Sequence, residues 1–351
     1  MSTAQSAADP LAELFAASPR HFADSPLYTR LGRVVAADER LLAIARHARS
    51  GQLPSNLLFA SVHYLLLRDP AQELAAWYPS TGRGPAAGDP GPAFTAFCLS
   101  RREEIIELMR RRLVQTNVVK RSVLLRLGMT VVASMTDEPV TLIEVGSSAG
   151  VHLRFDDYRY EIGGRTWGRA SSPVVVAAEW RGDGAPPDLG PLPAIADRVG
   201  IDLNPIDAGD PDERLWLRAL IWPENLAQAT LQDEALRAVA ANPPRTYAGD
   251  AVDLLPEVAA EVPRGAPIVI FHSATRLHVA AERREAFDAA IAGAGREHDL
   301  FHLSFEGARD LGTDAFALEL RRGREPVRRL AIGHGHAEWL SDSGAGRPCV
   351  R

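Results

Sequence analysis

The sequence predicts an α/β protein: a mostly parallel sheet with helices on both faces, preceded by an all-helical amino-terminal part. Three observations carry this. Before Ser134, apolar residues recur three and four apart, the period of a helix with one buried face. From Pro139 onward, short β-rich runs alternate with helical stretches, the pattern of strand–helix–strand crossovers. The last two runs have no helix between them and close the series as a hairpin.

The elements follow in order. Leu31, Val34 and Val35, then Leu41, Leu42, Ile44 and Ala45, mark helical faces, with Gly51 and Pro54 as turn signals between segments. The run from Pro79 to Pro92 is a break. Phe94 to Ala133 reads as one or two long helices. Their basic residues Arg101, Arg102, Arg110, Arg111, Arg112, Lys120, Arg121 and Arg126 resemble a patch for an anionic partner. The preferred reading is a solvated face balanced by Glu103, Glu104 and Glu107. The division is set at 1–135 for the helical domain and 136–351 for the α/β domain. Seven strands are expected near Val140–Val145, Val199–Asp202, Thr246–Asp250, Pro267–His272, Asp299–Ser304, Phe316–Leu320 and Val327–Ile332, the last pair turning around Gly323. Asp210, followed by Pro211 and Glu213, is a capping-box start for an intervening helix. Residues 156–198 interrupt the alternation and read as an insertion. In it Gly163-Gly164 signals a hairpin, and Val174 to Trp180 is a further possible strand.

Composition narrows the function. A chain of 351 residues with 46% hydrophobic and 24% charged residues can bury a large core. The 45 acidic against 39 basic residues oppose a dedicated nucleic-acid binder. Lys120 is the only lysine, and no G-K-[ST] phosphate loop exists, which excludes Walker-type ATP hydrolysis. Cys98 and Cys349 cannot form a zinc set or a disulfide framework. The opening Met1-Ser2-Thr3-Ala4-Gln5 lacks the basic start of a signal peptide. The apolar stretch Leu57–Leu67 is too short to span a bilayer. The expectation is a cytoplasmic protein with no membrane or nucleic-acid partner.

The chemistry concentrates in Glu144-Val145-Gly146-Ser147-Ser148-Ala149-Gly150, at the carboxyl end of the first strand, where open α/β sheets bind ligands. Small residues there admit a ligand to the backbone, and a following helix would offer N–H donors to an anion. A dinucleotide fingerprint fails, because Ser148 and Val151 stand at its second and third glycine positions. A G-x-S-x-G nucleophile elbow matches at Gly146, Ser148 and Gly150, with Asp250 and His272 or His334 available as triad partners. A hydrolase sheet, however, needs several strands before its elbow, and the preceding chain is helical. The run also resembles the E/D-x-G-x-G-x-G loop of methyltransferases that use S-adenosylmethionine: Glu144, Gly146 and Gly150 match, and Ser148 departs.

That resemblance implies a seven-stranded, Rossmann-like sheet ending in a hairpin, with Gly146, Ser147, Ser148 and Gly150 around the cofactor. It also implies Asp202 on the ribose hydroxyls and Asp250 near the adenine, with Glu179 as the rival ribose ligand. His272, ending the fourth long strand, is the candidate catalytic base; a structural hydrogen bond is its competing role. His334-Gly335-His336 is a weak metal clip, and no metal is assigned. Trp216 and Trp222 read as core. Gln115, Thr116 and Asn117 read as caps, turns or pocket polar groups.

A closer resemblance rests on Gln115-Thr116-Asn117-Val118, the Glu144–Gly150 run and Gly200-Ile201-Asp202-Leu203-Asn204-Pro205. It also rests on Trp216 to Glu224, Gly249-Asp250-Ala251 and Phe271-His272-Ser273. Together these are similar to the bacterial "domain of unknown function 2332" family, which carries no assigned reaction. This implies a helical part on a methyltransferase-like sheet domain. The expected function is an S-adenosylmethionine-dependent methyltransferase acting on a small-molecule acceptor. The alternatives are a serine hydrolase using Ser148, or a non-catalytic adenosyl-ligand binder. Oligomeric state is not legible.

Overall fold

The computed structural model describes residues 9–342 except 19–21, 85, 116 and 312–314. Thr116 and Cys349 lie outside the described residues. The chain divides into two compact units, 1–116 with 210–230, and 117–209 with 231–351.

The helical unit contains helices Pro10–Ala16, Pro26–Ala37, Glu39–Ala45, Pro54–Arg68, Gly91–Ser100, Arg102–Arg111 and Pro211–Ala219. Proline at the first helical position and an aspartate or serine before it start several of them: Asp9, Ser25 and Asp210 each accept a backbone N–H. Phe15, Phe22, Tyr28, Phe59 and Phe94 form an aromatic core, with Tyr28 stacked on Phe59 at 4.6 Å between ring centroids. The division at 135/136 expected from the sequence shifts in two ways. Segment 210–230 belongs here, because Trp216 is buried in this core. Glu224 also accepts from Ser25 Oγ and Leu27 N–H, both at 2.9 Å, at the start of helix Pro26–Ala37. The second shift is helix Ser122–Ala133, which belongs to the sheet unit. The expected capping box at Asp210 is half formed: Asp210 accepts the Asp212 N–H at 2.8 Å, while Glu213 turns to Arg112 Nη1 at 2.6 Å.

The sheet unit has eleven strands: β1 Val140–Val145, β2 Arg159–Ile162, β3 Arg165–Gly168, β4 Val175–Trp180, β5 Ile195–Asp202, β6 Arg245–Ala248, β7 Pro267–Ser273, β8 Asp299–Gly307, β9 Ala315–Arg322, β10 Arg328–His334 and β11 Trp339–Ser341. Seven were expected. The surplus arises because the insertion extends the sheet instead of standing apart: β2 pairs with β3 and β4, and β4 pairs with the three-residue β11. The order is β3-β2-β4-β11-β10-β9-β8-β7-β1-β5-β6. Strands β1 and β7 are buried along their whole length, as their unbroken apolar runs require. Helices Ala251–Ala260 and Arg284–Ala294 cover one face through Leu255, Val258, Phe287 and Ile291, against Ile143, Val199 and Ile270. Helix Ser122–Ala133 covers the other, where a Cβ on Gly128 would stand 2.6 Å from Leu303. Among the described residues no helix is long and apolar enough to cross a membrane.

The basic residues of 101–126 do not form one solvated face. Arg112, Arg121 and Arg126 are buried. Arg112 lies over Trp216 and pairs with Asp212 and Glu213, and Arg126 lies over Tyr160 at 5.2 Å.

Candidate functional site

Strands β6-β5-β1-β7-β8 are mutually parallel, and in chain order they read three-two-one-four-five. The direction of winding reverses between β1 and β7, and ligands bind outside the carboxyl ends of strands at such a point. The Glu144–Gly150 loop emerges there. Gly146 has φ 77°, and a Cβ on it would meet Thr275 Oγ1 at 2.4 Å. Thr275 in turn donates to the Val145 carbonyl at 3.1 Å, so it walls the β7 side of the loop. On the other side Gly200 is the β5 partner of Glu144, and a Cβ there would lie 2.5 Å from Ser147 Oγ. Only glycine permits either approach.

Asp202, half-buried at the end of β5, accepts the Ser148 N–H and the Asn204 N–H, both at 2.8 Å. It fixes the loop and caps its own turn. Asp250 accepts the Val252 N–H at 2.9 Å as the N-cap of helix Ala251–Ala260, and pairs with Arg283 at 3.1 Å. Glu179 is exposed on β4, bonded to Arg181 at 2.6 Å, and β11, β10, β9, β8 and β7 separate its strand from β1. The fold therefore places Asp202 beside the loop and Glu179 away from it.

Glu144 is buried, and its Oε1 lies 2.6 Å from His152 Nδ1. His152 Nε2 lies 2.9 Å from the Val118 carbonyl, which can only accept. Nε2 therefore carries a proton. One further proton must sit between Nδ1 and Oε1, either as an imidazolium facing a carboxylate or as a carboxylic acid donating to a neutral ring. Burial pushes the Glu144 carboxyl up, and His152 opposes that rise. Around this pair Glu144 Oε2, Ser147 Oγ, Ser148 Oγ and Asn117 Nδ2 are buried with no hydrogen-bond partner among the described residues. Such groups are rare in native proteins and mark places where a polar partner belongs.

The helix expected after the loop is absent, and with it a helix-terminus anion site. In its place His152–Asp157 forms a short 3₁₀ turn. The carbonyls that would propagate a helix are taken by side chains: Val151 by Tyr158 Oη at 2.6 Å, Leu153 by Arg198 Nη1 at 2.6 Å and Phe155 by Tyr160 Oη at 2.5 Å.

His272 ends β7 and is 1% exposed. Its Nδ1 lies 2.7 Å from Glu306 Oε1 and its Nε2 lies 3.0 Å from His302 Nε2. Burial acts to raise the Glu306 carboxyl, but its bonds to His272 and to the Thr275 and Arg276 N–H groups outweigh burial and hold it below its ordinary value. His302 is pulled down to about 3, by burial first and then by His272. A proton order follows: His272 donates from Nδ1 to the Glu306 carboxylate and accepts at Nε2 from neutral His302.

Ser148 adopts φ 49°, a left-handed conformation that strained nucleophile loops also use. No histidine among the described residues reaches its Oγ, which has no partner there, so the triad of the alternative serine-hydrolase reading is not assembled. A fluorophosphonate probe is expected to leave Ser148 unmodified by mass spectrometry; labelling that Ser148→Ala abolishes would reverse this reading. His334 and His336 have rings 5.5 Å apart, but among the described residues no three metal-capable side chains converge. Trp216 and Trp222 both pack on the helical unit's core.

Sequence reasoning missed His152, Glu306 and His302. Nothing in their local pattern marks them: Glu306 and His302 meet His272 from 34 and 30 residues away, and His152 meets Glu144 from eight residues on, across an irregular loop. A family model described as "Uncharacterized protein conserved in bacteria (DUF2332)" matches residues 12–342. No curated protein and no solved structure matches.

Proposed function

The chain belongs to the DUF2332 family of uncharacterised bacterial proteins, and we propose that it is an S-adenosylmethionine-dependent methyltransferase acting on a small-molecule acceptor. The observation that carries this reading is the cluster of buried, unpartnered polar atoms, Glu144 Oε2, Ser147 Oγ and Ser148 Oγ, at the winding reversal of a parallel sheet. A carboxylate oxygen and two hydroxyls suit a ligand rich in hydroxyl and amino donors, as an adenosine is. Glu144, Ser147, Ser148 and Asp202 would hold the cofactor. When bound, it supplies a methyl group made electrophilic by a sulfonium centre.

The remaining work falls to this chain's own residues. Glu306 fixes the Nδ1–H tautomer of His272, leaving the basic lone pair on Nε2, the arrangement that makes a carboxylate–histidine dyad a general base. His302 occupies that lone pair, so His272 takes an acceptor's proton only when the acceptor displaces His302. Positioning of the two reactants supplies most of the acceleration in such a site.

S-adenosylmethionine or S-adenosylhomocysteine is expected to raise the melting temperature, whereas NAD and ATP do not. A ligand present at 100 times its Kd adds about 2.7 kcal/mol by mass action. Flat thermal shift and flat calorimetry with both adenosyl compounds at millimolar concentration would reject the reading. If the ligand does bind, Asp202→Ala is expected to weaken it at least tenfold, and Glu179→Ala to leave it unchanged in the same titration. The reverse result would place the ligand elsewhere on the sheet.

A further inference from the structure

We propose that Arg121 anchors a carboxylate group of a small-molecule ligand at the carboxyl end of β7, so that the substrate is a carboxylic acid anion. This deepens the reading above by naming the substrate class, and its test uses no adenosyl compound, so either can fail alone.

Arg121 is 6% exposed and lies on the short 3₁₀ turn Val119–Arg121. Its Nε donates to the Gly335 carbonyl at 2.8 Å and its Nη1 to the Ser273 carbonyl at 3.4 Å. Both partners are neutral, and among the described residues no carboxylate forms an ion pair with this guanidinium. A buried cation is retained at great expense unless an anion compensates it. The two nearby carboxylates are already committed, Glu306 to His272 and Glu144 to His152. Burial lowers the Arg121 guanidinium to about 10, with Glu306 and Glu144 opposing, so it remains charged at neutral pH.

Arg121 Nη2 has no acceptor among the described residues. A planar fork of N–H donors matches a carboxylate in two parallel bonds. The carbonyls that hold Arg121 belong to segments leading directly to His278 and His336. Both imidazoles are exposed and within electrostatic reach of Arg121, and so are available as additional N–H donors. The neighbouring Lys120 is itself paired with Glu338 and so does not compete for the same anion. With Glu144 and Glu306 close by, a monoanion is favoured over a dianionic phosphate.

The test is titration of the full chain with sodium acetate, against sodium chloride at matched ionic strength, followed in amide-resolved NMR spectra. Saturable shifts confined to Arg121, Ser273–His278 and His336 are expected. Their loss by at least fivefold in affinity is expected in Arg121→Gln. Should that variant not fold, His278→Gln on the exposed rim is expected to weaken acetate at least twofold, with native dispersion kept. No saturable shift up to 100 mM, or shifts scattered over the surface, overturns the proposal. Inorganic phosphate binding the same residues tighter than acetate overturns the carboxylate assignment.

Discussion

Glu144→Gln is expected to keep the fold within about 1 kcal/mol of the parent while lowering adenosyl-ligand affinity at least tenfold; Glu144→Ala is expected to lose about 3 kcal/mol of stability. The two substitutions separate a structural role from a binding one. His152 must donate from Nε2 to the Val118 carbonyl, so one proton has to lie between its Nδ1 and the group at position 144. A glutamine amide supplies that proton as a neutral N–H donor and needs no shared charge. An alanine leaves a buried ring nitrogen with nothing to bond, and opens a cavity between β1 and the 3₁₀ turn. At Oε2 the requirement differs. That atom has no partner among the described residues, and a carboxylate accepts from a donor-rich ligand more strongly than an amide. Urea denaturation and calorimetric titration of both variants read the two effects. Parent-like affinity in Glu144→Gln would remove Glu144 from the ligand site and leave it a purely structural acid.

What the sequence reveals and conceals here follows a physical rule. Strands β1 and β7 are legible because they are buried on both faces and read as apolar runs bounded by glycine or proline, whereas β8 is legible because its buried Phe301, Leu303 and Phe305 alternate with the half-buried His302, Ser304 and Glu306. The hairpin β2–β3 is legible because Gly163 and Gly164 take φ 53° and 77°, as a two-residue turn demands. Strand β11 is not, since three residues, Trp339 to Ser341, carry no period. Its pairing with β4 joins segments that local signals treat as unrelated. The return of 210–230 to the helical unit is equally hidden, because it depends on Trp216 and Glu224 finding partners far earlier in the chain.

The same rule divides the site. The glycine loop and Asp202 are visible because backbone conformation restricts residue type locally. The proton partners are invisible, because Glu144 with His152 and His272 with Glu306 and His302 meet only through the tertiary fold. Arg121 shows the error most plainly: in a run of basic residues it looks like one more solvated charge, yet it is buried on two carbonyls.

Acidification is expected to destabilise the helical unit through one histidine. His63 is fully buried, with Nδ1 at 3.0 Å from the Ala219 carbonyl and Nε2 at 2.6 Å from Ser80 Oγ. The carbonyl fixes the proton on Nδ1 and leaves Nε2 to accept from the serine hydroxyl, so the neutral ring is satisfied at both nitrogens. A second proton would place an uncompensated charge in an aromatic core beside Tyr78. Burial, and then the Arg218 charge, accordingly lower His63 to about 4. The unfolded chain, with an ordinary imidazole near pH 6.5, then binds the proton that the folded chain refuses. Its contribution to stability is complete above about pH 6.5 and is lost as pH falls toward 4, by about 3 kcal/mol in all and about 2 kcal/mol at pH 5. His302, pulled down in the sheet unit, adds a loss of the same sign, so the parent protein alone cannot apportion the effect. His63→Gln can: an amide donates to Ala219 and accepts from Ser80 without titrating. Its urea midpoint is expected to fall much less than the parent's between pH 7.5 and 5, whatever its stability at pH 7.5. Equal falls in both proteins would show that His63 accepts its proton in the folded state.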